Sequence, residues 1–306
     1  MKTLLLIIYF FSIPLLAQKV SVAENIAVTT ESEGSFFYPT VSPDGSAILF
    51  SEQNQKGLWL KNIKTGKLEK ITDAAGAGYD AGFSDNGSEI FYRSDKFVSG
   101  RRMSSLVSHN LLTGKETKIE NDVRDLKLSR TTRWKCYLYM KENTVKPIPG
   151  ISSLNKKQAS LLSVFIENSN IVLYKNGSKT NIQPLGKGNY IWPSISPDGT
   201  KLLFTFAGKG TYVSDLNGKI IAELGRANYP SWSPDGSWIV FMDDKDDGRV
   251  LTTSTIGIVK FDGSERYTLT ENDKNISIYP KWGNTRNEIY YNTSSGQVRK
   301  LNLKYE

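Results

Sequence analysis

The 306-residue chain is 39% hydrophobic, 11% aromatic and 23% charged, enough to bury a substantial core, so it is neither a disordered tail nor a small disulfide scaffold. Its single histidine, His109, and single cysteine, Cys136, exclude an internal disulfide and cannot furnish a Cys/His zinc site or a multi-histidine metal centre. Lys and Arg exceed Asp and Glu by 39 to 31, a net charge of +8 that is scattered along the chain; it permits an anionic partner but falls far short of a nucleic-acid stripe, and no nucleic acid is expected.

Lys2 precedes an apolar run over residues 4–16, broken only by Ser12 and Pro14 and ending at Ala17-Gln18. A small residue at that point suits signal peptidase, and a run of about 13 residues is short of the ~20 that cross hydrocarbon as a helix. Residues 1–17 are therefore expected to be a secretory signal cleaved after Ala17, leaving 18–306 as one exported, periplasmic domain without a transmembrane anchor. No cysteine near the cleavage point offers a lipid attachment site.

Beyond this segment the chain repeats itself. Tyr38-Pro-Thr-Val-Ser-Pro-Asp-Gly-Ser-Ala-Ile-Leu-Phe50 returns as Trp192-Pro-Ser-Ile-Ser-Pro-Asp-Gly-Thr-Lys-Leu-Leu-Phe204 and as Tyr229-Pro-Ser-Trp-Ser-Pro-Asp-Gly-Ser-Trp-Ile-Val-Phe241. Weaker copies run from Phe83, Leu128 and Tyr279, and residues 151–164 keep only the apolar spacing. Pro presets φ for a tight turn, Asp bonds its own backbone and Gly takes the positive φ that closes it, so each phrase predicts a hairpin. A second hairpin follows in several copies, at Thr65-Gly66, Asn217-Gly218 and Asp262-Gly263. Four short antiparallel strands about every 40 residues describe a propeller blade.

Blade starts near residues 38, 79, 124, 151, 191, 229 and 279 favour an all-β propeller of seven blades over six. Residues 124–190 are too many for one blade and too few for two full ones, so the third is expected to be a three-stranded remnant and the fourth of normal length. The last has room for three strands, and residues 25–30 read as an outer strand without a blade; an N-terminal strand that completes the last blade would close the ring.

The Tyr-Pro-x-x-Ser-Pro-Asp-Gly-x-x-Ile-x-Phe phrase resembles the Pro-Asp repeat of TolB-like, WD-like β-propellers of exported bacterial proteins, over about residues 25–304. The resemblance is strong for fold and weak for function. TolB carries an α/β domain ahead of its propeller and contacts a peptidoglycan-associated lipoprotein; here the blades begin within about ten residues of the expected cleavage point, so that role does not carry over. Oligopeptidase propellers need a hydrolase domain with a Gly-x-Ser-x-Gly elbow, which does not occur here. Oligogalacturonate lyases draw their metal site from several histidines, and sialidase boxes have a spacing that Ser233-Pro-Asp-Gly-Ser-Trp238 lacks.

The candidate site is a channel rim. Tyr38, Tyr79, Trp192, Tyr229 and Tyr279 open blades where each outer strand hands over to the next inner one, and they serve either as binding surfaces or as packing between blades. Two variable connections, residues 93–105 and 243–255, are expected on the same rim; Arg101 and Arg102 lie in the first and could grip a phosphate or carboxylate, as an alternative to a plain solvated loop. Acidic residues 243–248 could offer oxygen to Ca²⁺ but lack the spacing of a calcium loop, and His109 alternates with apolar neighbours along a strand, so no metal, cofactor or catalytic residue is expected. The reading is a non-enzymatic platform for an envelope protein or polysaccharide; the alternative is a carbohydrate-active enzyme or glycan-binding protein that uses the channel.

Overall fold

The computed structural model describes residues 19–130, 137–141, 144–148, 162–271 and 276–306. The expected signal, Cys136 and the expected start of the fourth blade near residue 151 lie outside them.

Seven antiparallel sheets form a ring. Blade 1 comprises Phe37–Val41, Ala47–Ser51, Leu58–Asn62 and Leu68–Thr72; blade 2 comprises Gly82–Phe83, Glu89–Val98, Arg101–Asn110 and Glu116–Val123. Blade 3 shows three described strands, Lys127–Arg130, Tyr137–Lys141 and Thr144–Pro147. Blade 4 shows three described strands, Leu162–Glu167, Asn170–Lys175 and Ser178–Ile182, where four were expected. Blade 5 (Tyr190–Ile195, Lys201–Phe206, Gly210–Asp215, Ile220–Gly225) and blade 6 (Asn228–Trp232, Trp238–Asp246, Leu251–Lys260, Arg266–Thr268) are complete.

Blade 7 closes the ring from both ends of the chain. Ser277–Trp282, Glu288–Thr293 and Val298–Tyr305 are joined on the outside by Val20–Ala27, with Val20 opposite Tyr305 and Ala27 opposite Arg299. The closing strand thus starts five residues before the expected 25–30 and ends at Ala27; beyond it the Val28 and Thr29 amides still donate to the Val298 carbonyl.

The serine before each Pro-Asp-Gly explains why the turns are uniform. Ser42 Oγ donates to Asp44 Oδ1 (2.6 Å) and accepts the Ala47 amide (2.9 Å), while Asp44 accepts the Ser46 amide (3.0 Å), so one side chain pair ties both sides of the hairpin. Ser196/Asp198, Ser233/Asp235 and, with asparagine, Ser84/Asn86 repeat it. Second strands are nearly continuous apolar runs because neighbouring blades cover both faces: all five residues of Ala47–Ser51 are buried. Leu49, Phe83 and Ile90 pack between blades 1 and 2, Phe91, Leu128 and Tyr139 between 2 and 3, and Ile182, Leu202 and Phe204 between 4 and 5. Leu203, Trp232 and Ile239 join blades 5 and 6, Val240 and Ile289 join 6 and 7, and Phe50 and Tyr290 join 7 and 1. Each such buried side chain contributes about 2 kcal/mol of apolar transfer. Blades 3 and 4 meet through Ser163 Oγ donating to Ser129 Oγ at 2.5 Å.

Candidate functional site at the channel mouth

At each aromatic handover the inner strand carries a bulge. Phe37 pairs with Ser51 and Thr40 with Leu49, so Tyr38 and Pro39 together oppose only Phe50; Trp192-Pro193, Tyr229-Pro230 and Tyr279-Pro280 do the same in blades 5, 6 and 7. The first residue of each bulge is left-handed, with φ of 60° at Tyr38, 51° at Trp192 and Tyr229 and 53° at Tyr279. For a bulky residue this costs about 1–3 kcal/mol, which the surroundings must repay. At Tyr38 part of the repayment is visible: the fully buried Asn292 accepts the Tyr38 amide (3.0 Å) and donates to the Phe36 carbonyl (2.5 Å).

The twisted backbone throws the four rings inward, where they touch one another. Tyr38 stacks on Tyr279 with centroids 4.5 Å apart, Tyr229 meets Tyr279 edge-on at 5.3 Å, and Trp192 meets Tyr229 at 6.0 Å. Burial pushes the Tyr38 and Tyr229 hydroxyls well above the usual phenol range. Four of the five expected aromatics therefore converge into one cluster spanning blades 5, 6, 7 and 1. They are both inter-blade packing and exposed surface, since Trp192 remains 37% accessible.

Tyr79 is not their equivalent. Counting back four residues from the turn serine gives Tyr38 from Ser42, Trp192 from Ser196 and Tyr229 from Ser233, but Asp80 from Ser84 and Asp125 from Ser129. Asp80 (φ 56°) and Asp125 (φ 58°) hold the same left-handed backbone. Both were missed because the copies were matched on the aromatic letter; counting from the serine would have found them. Tyr79, one residue earlier, instead lies against the Arg93 guanidinium, 4.2 Å from its ring centroid, and its hydroxyl titrates above the ordinary range because of the Asp80 charge and burial. A cavity of about 190 Å³ is lined by Tyr79 and Asp80 together with Tyr38, Tyr229, Tyr279 and Lys281.

The two expected loops are not loops. Residues 93–105 belong to a hairpin paired without interruption from Glu89 opposite Asn110 to Val98 opposite Arg101, and residues 243–255 to a second one that ends near Asp246 and Leu251. These arms of blades 2 and 6 stand on the same rim as the aromatic cluster. At the base of the first, Arg93 is 4% exposed and pairs with Asp95 (Nε to Oδ1, 3.0 Å), which also accepts from Ser104 Oγ (2.6 Å). Arg102 Nε lies 4.0 Å from Asp95, whereas Arg101 is exposed near the tip beside Val98, Met103 and Asp122. In the second arm Asp246 accepts the Gly248 amide and Asp247 those of Arg249 and Val250, all within its own turn, while Asp244 accepts from Asn228 on the inner strand of the blade. His109 faces Glu116 across the outer pair of blade 2, Nδ1 3.6 Å from Oε1. Among the described residues no three His, Cys, Asp or Glu side chains are grouped to hold a metal.

No family model matches the chain. In sequence it is similar to the Tol-Pal system protein TolB of Francisella tularensis subsp. holarctica, 23% identical over 269 residues that cover 83% of this chain and 56% of the relative. The chain thus spans about half the length of the curated relatives it matches. Among solved structures it is similar to a putative TolB from Agrobacterium tumefaciens (16% identity, TM-score 0.51, covering 95% of this chain and 99% of that one). It is also similar to an oligogalacturonate lyase in complex with manganese (13% identity, TM-score 0.51, covering 89% and 78%).

Proposed function

We propose that this chain, a seven-bladed TolB-like β-propeller, is an exported, periplasmic, non-enzymatic platform that docks an envelope protein or polysaccharide on the rim carrying the aromatic cluster. The observation that carries the reading is the concentration of strain at one place: four bulged, left-handed inner strands aim Tyr38, Trp192, Tyr229 and Tyr279 at the channel mouth. Backbone strain that recurs at one rim of a scaffold is characteristic of a binding site. Tyr and Trp are the side chains that lose least entropy per unit of contact area. The similarity to TolB supports a binding role. The lone histidine and the absence of a metal-ligand group among the described residues favour docking over the lyase chemistry named for one fold neighbour. No helix among the described residues is long and apolar enough to cross a membrane.

The test is a comparison of the two rims. A partner captured from envelope extract and identified by mass spectrometry should bind Trp192→Ala, or Arg101→Ala with Arg102→Ala, at least tenfold more weakly, with the melting temperature little changed. It should bind Asn217→Ala, in an outer turn of the opposite rim, as it binds wild type. The reverse pattern would place the docking face on the turn side.

A further inference from the structure

The channel mouth is chemically two-sided. Blades 5, 6, 7 and 1 contribute π faces at the left-handed position, and blades 2 and 3 contribute Asp80 and Asp125. Asp125 is exposed, with Arg124 3.8 Å away. Asp80 is likewise exposed, on the wall of the cavity, and it makes no hydrogen bond or ion pair with any described residue. The nearby cations have other engagements. Arg93 pairs with Asp95 and lies over Tyr79, and Lys281 Nζ donates to Thr40 Oγ1 at 3.2 Å. Partial desolvation by the surrounding protein holds the Asp80 carboxyl above its ordinary range although Arg93 and Lys281 pull it down. A carboxylate that faces a cavity without a direct partner is open to a ligand that carries the opposite charge. The same cavity wall carries the Tyr38, Tyr229 and Tyr279 rings, and the faces of aromatic rings, the negative part of the quadrupole, attract cations.

We propose that Asp80, with Tyr38, Tyr229 and Tyr279, forms a cage that receives a cationic side chain of the docking partner, the ammonium of a lysine or the guanidinium of an arginine. The proposal rests on the channel mouth being the docking face and names the group that enters it. A cavity of about 190 Å³ has room for one side chain, not for a folded surface. The occupant is therefore a single protruding residue, and its aliphatic stem lies against the rings while its charge meets the carboxylate.

Two-dimensional amide NMR of the mature chain, titrated to millimolar concentrations with small probes, tests this directly. Nα-acetyl-lysine amide or Nα-acetyl-arginine amide should shift resonances around Asp80 and Tyr279 saturably, at least tenfold more tightly than the neutral Nα-acetyl-norleucine amide. Asp80→Asn, which keeps the shape and removes the charge, should abolish that preference and leave the melting temperature equal or higher. Tyr279→Leu should weaken the cationic probe while Asp80 is intact. Equal binding of norleucine amide, preference for Nα-acetyl-glutamate through Arg93, Arg102 and Lys281, or an Asp80→Asn protein that binds the cationic probes as wild type does would each overturn the cage. A captured partner lost on Trp192→Ala but retained on Asp80→Asn would also overturn it while leaving the docking face standing; a partner indifferent to both changes would overturn the docking face as well.

Discussion

Asp44, Asp198 and Asp235 show how much one repeated side chain does. Hydrogen bonds from Ser42 and Ser46 hold the Asp44 carboxyl at about 2, below its ordinary value of 3.8. At Asp198 and Asp235 burial works against ionisation, yet the serine and threonine donors outweigh it and both titrate low. A carboxyl whose pKa is lower in the folded than in the unfolded chain stabilises the fold fully above the unfolded pKa, and that stabilisation fades as pH falls through the folded one. The melting temperature should therefore be flat from pH 7 to about 5 and decline between about pH 4 and 2. Asn86 already occupies the same turn in blade 2, accepting from Ser84 Oγ at 2.8 Å and from the Ser88 amide at 3.1 Å, so asparagine keeps the geometry without the charge. The triple variant Asp44→Asn, Asp198→Asn, Asp235→Asn should fold, melt lower at pH 7 and show a shallower acid decline in a pH series of thermal melts. At this scale the turn chemistry was legible because side chain and backbone act within five residues. The meaning of Asp80 was not, because it comes from rings in other blades, the farthest of them, Tyr279, near the other end of the chain.

Hairpins are the elements the chain announces most clearly, and the glycine of the Pro-Asp-Gly turn is the reason. Gly236 sits at φ 72°, and a Cβ there would come within 3.3 Å of Pro197 Cδ in the neighbouring blade. Gly236→Val should destabilise the protein by more than ~1 kcal/mol through the left-handed backbone alone, lowering the melting temperature by at least about 2 °C; an unchanged melt would show that the turn relaxes. Strand ends were less legible. Turn-like composition made residues 93–105 and 243–255 read as loops, but cross-strand hydrogen bonds need no apolar alternation, and both pairs of strands continue past the core into solvent. Phe97, 74% exposed near one tip, packs on nothing that would have marked it as strand.

The ring as a whole owes its seven sheets to a count that repeat spacing could supply. Closure was legible as a deficit: three strands in the last blade and one unclaimed strand near the start. Deleting residues 18–31 should expose the ladder edge of Val298–Tyr305 and uncover Leu301 and Leu303, lowering the melting temperature by several degrees and promoting self-association, measurable by calorimetry and light scattering. A truncated chain that stays monomeric and melts like wild type would mean that the ring holds without its seam.

The same seam sets an order of events. Bringing Val20 to Tyr305 costs about 4 kcal/mol more chain entropy than closing a four-residue turn, by the logarithmic law for loops. Every other described strand pairs with a neighbour close in sequence. Blades should accordingly form early and locally, and the first strand should wait as a free segment until the final eight-residue strand has been made and presented. The propeller is then a structure whose beginning is the last thing to fold.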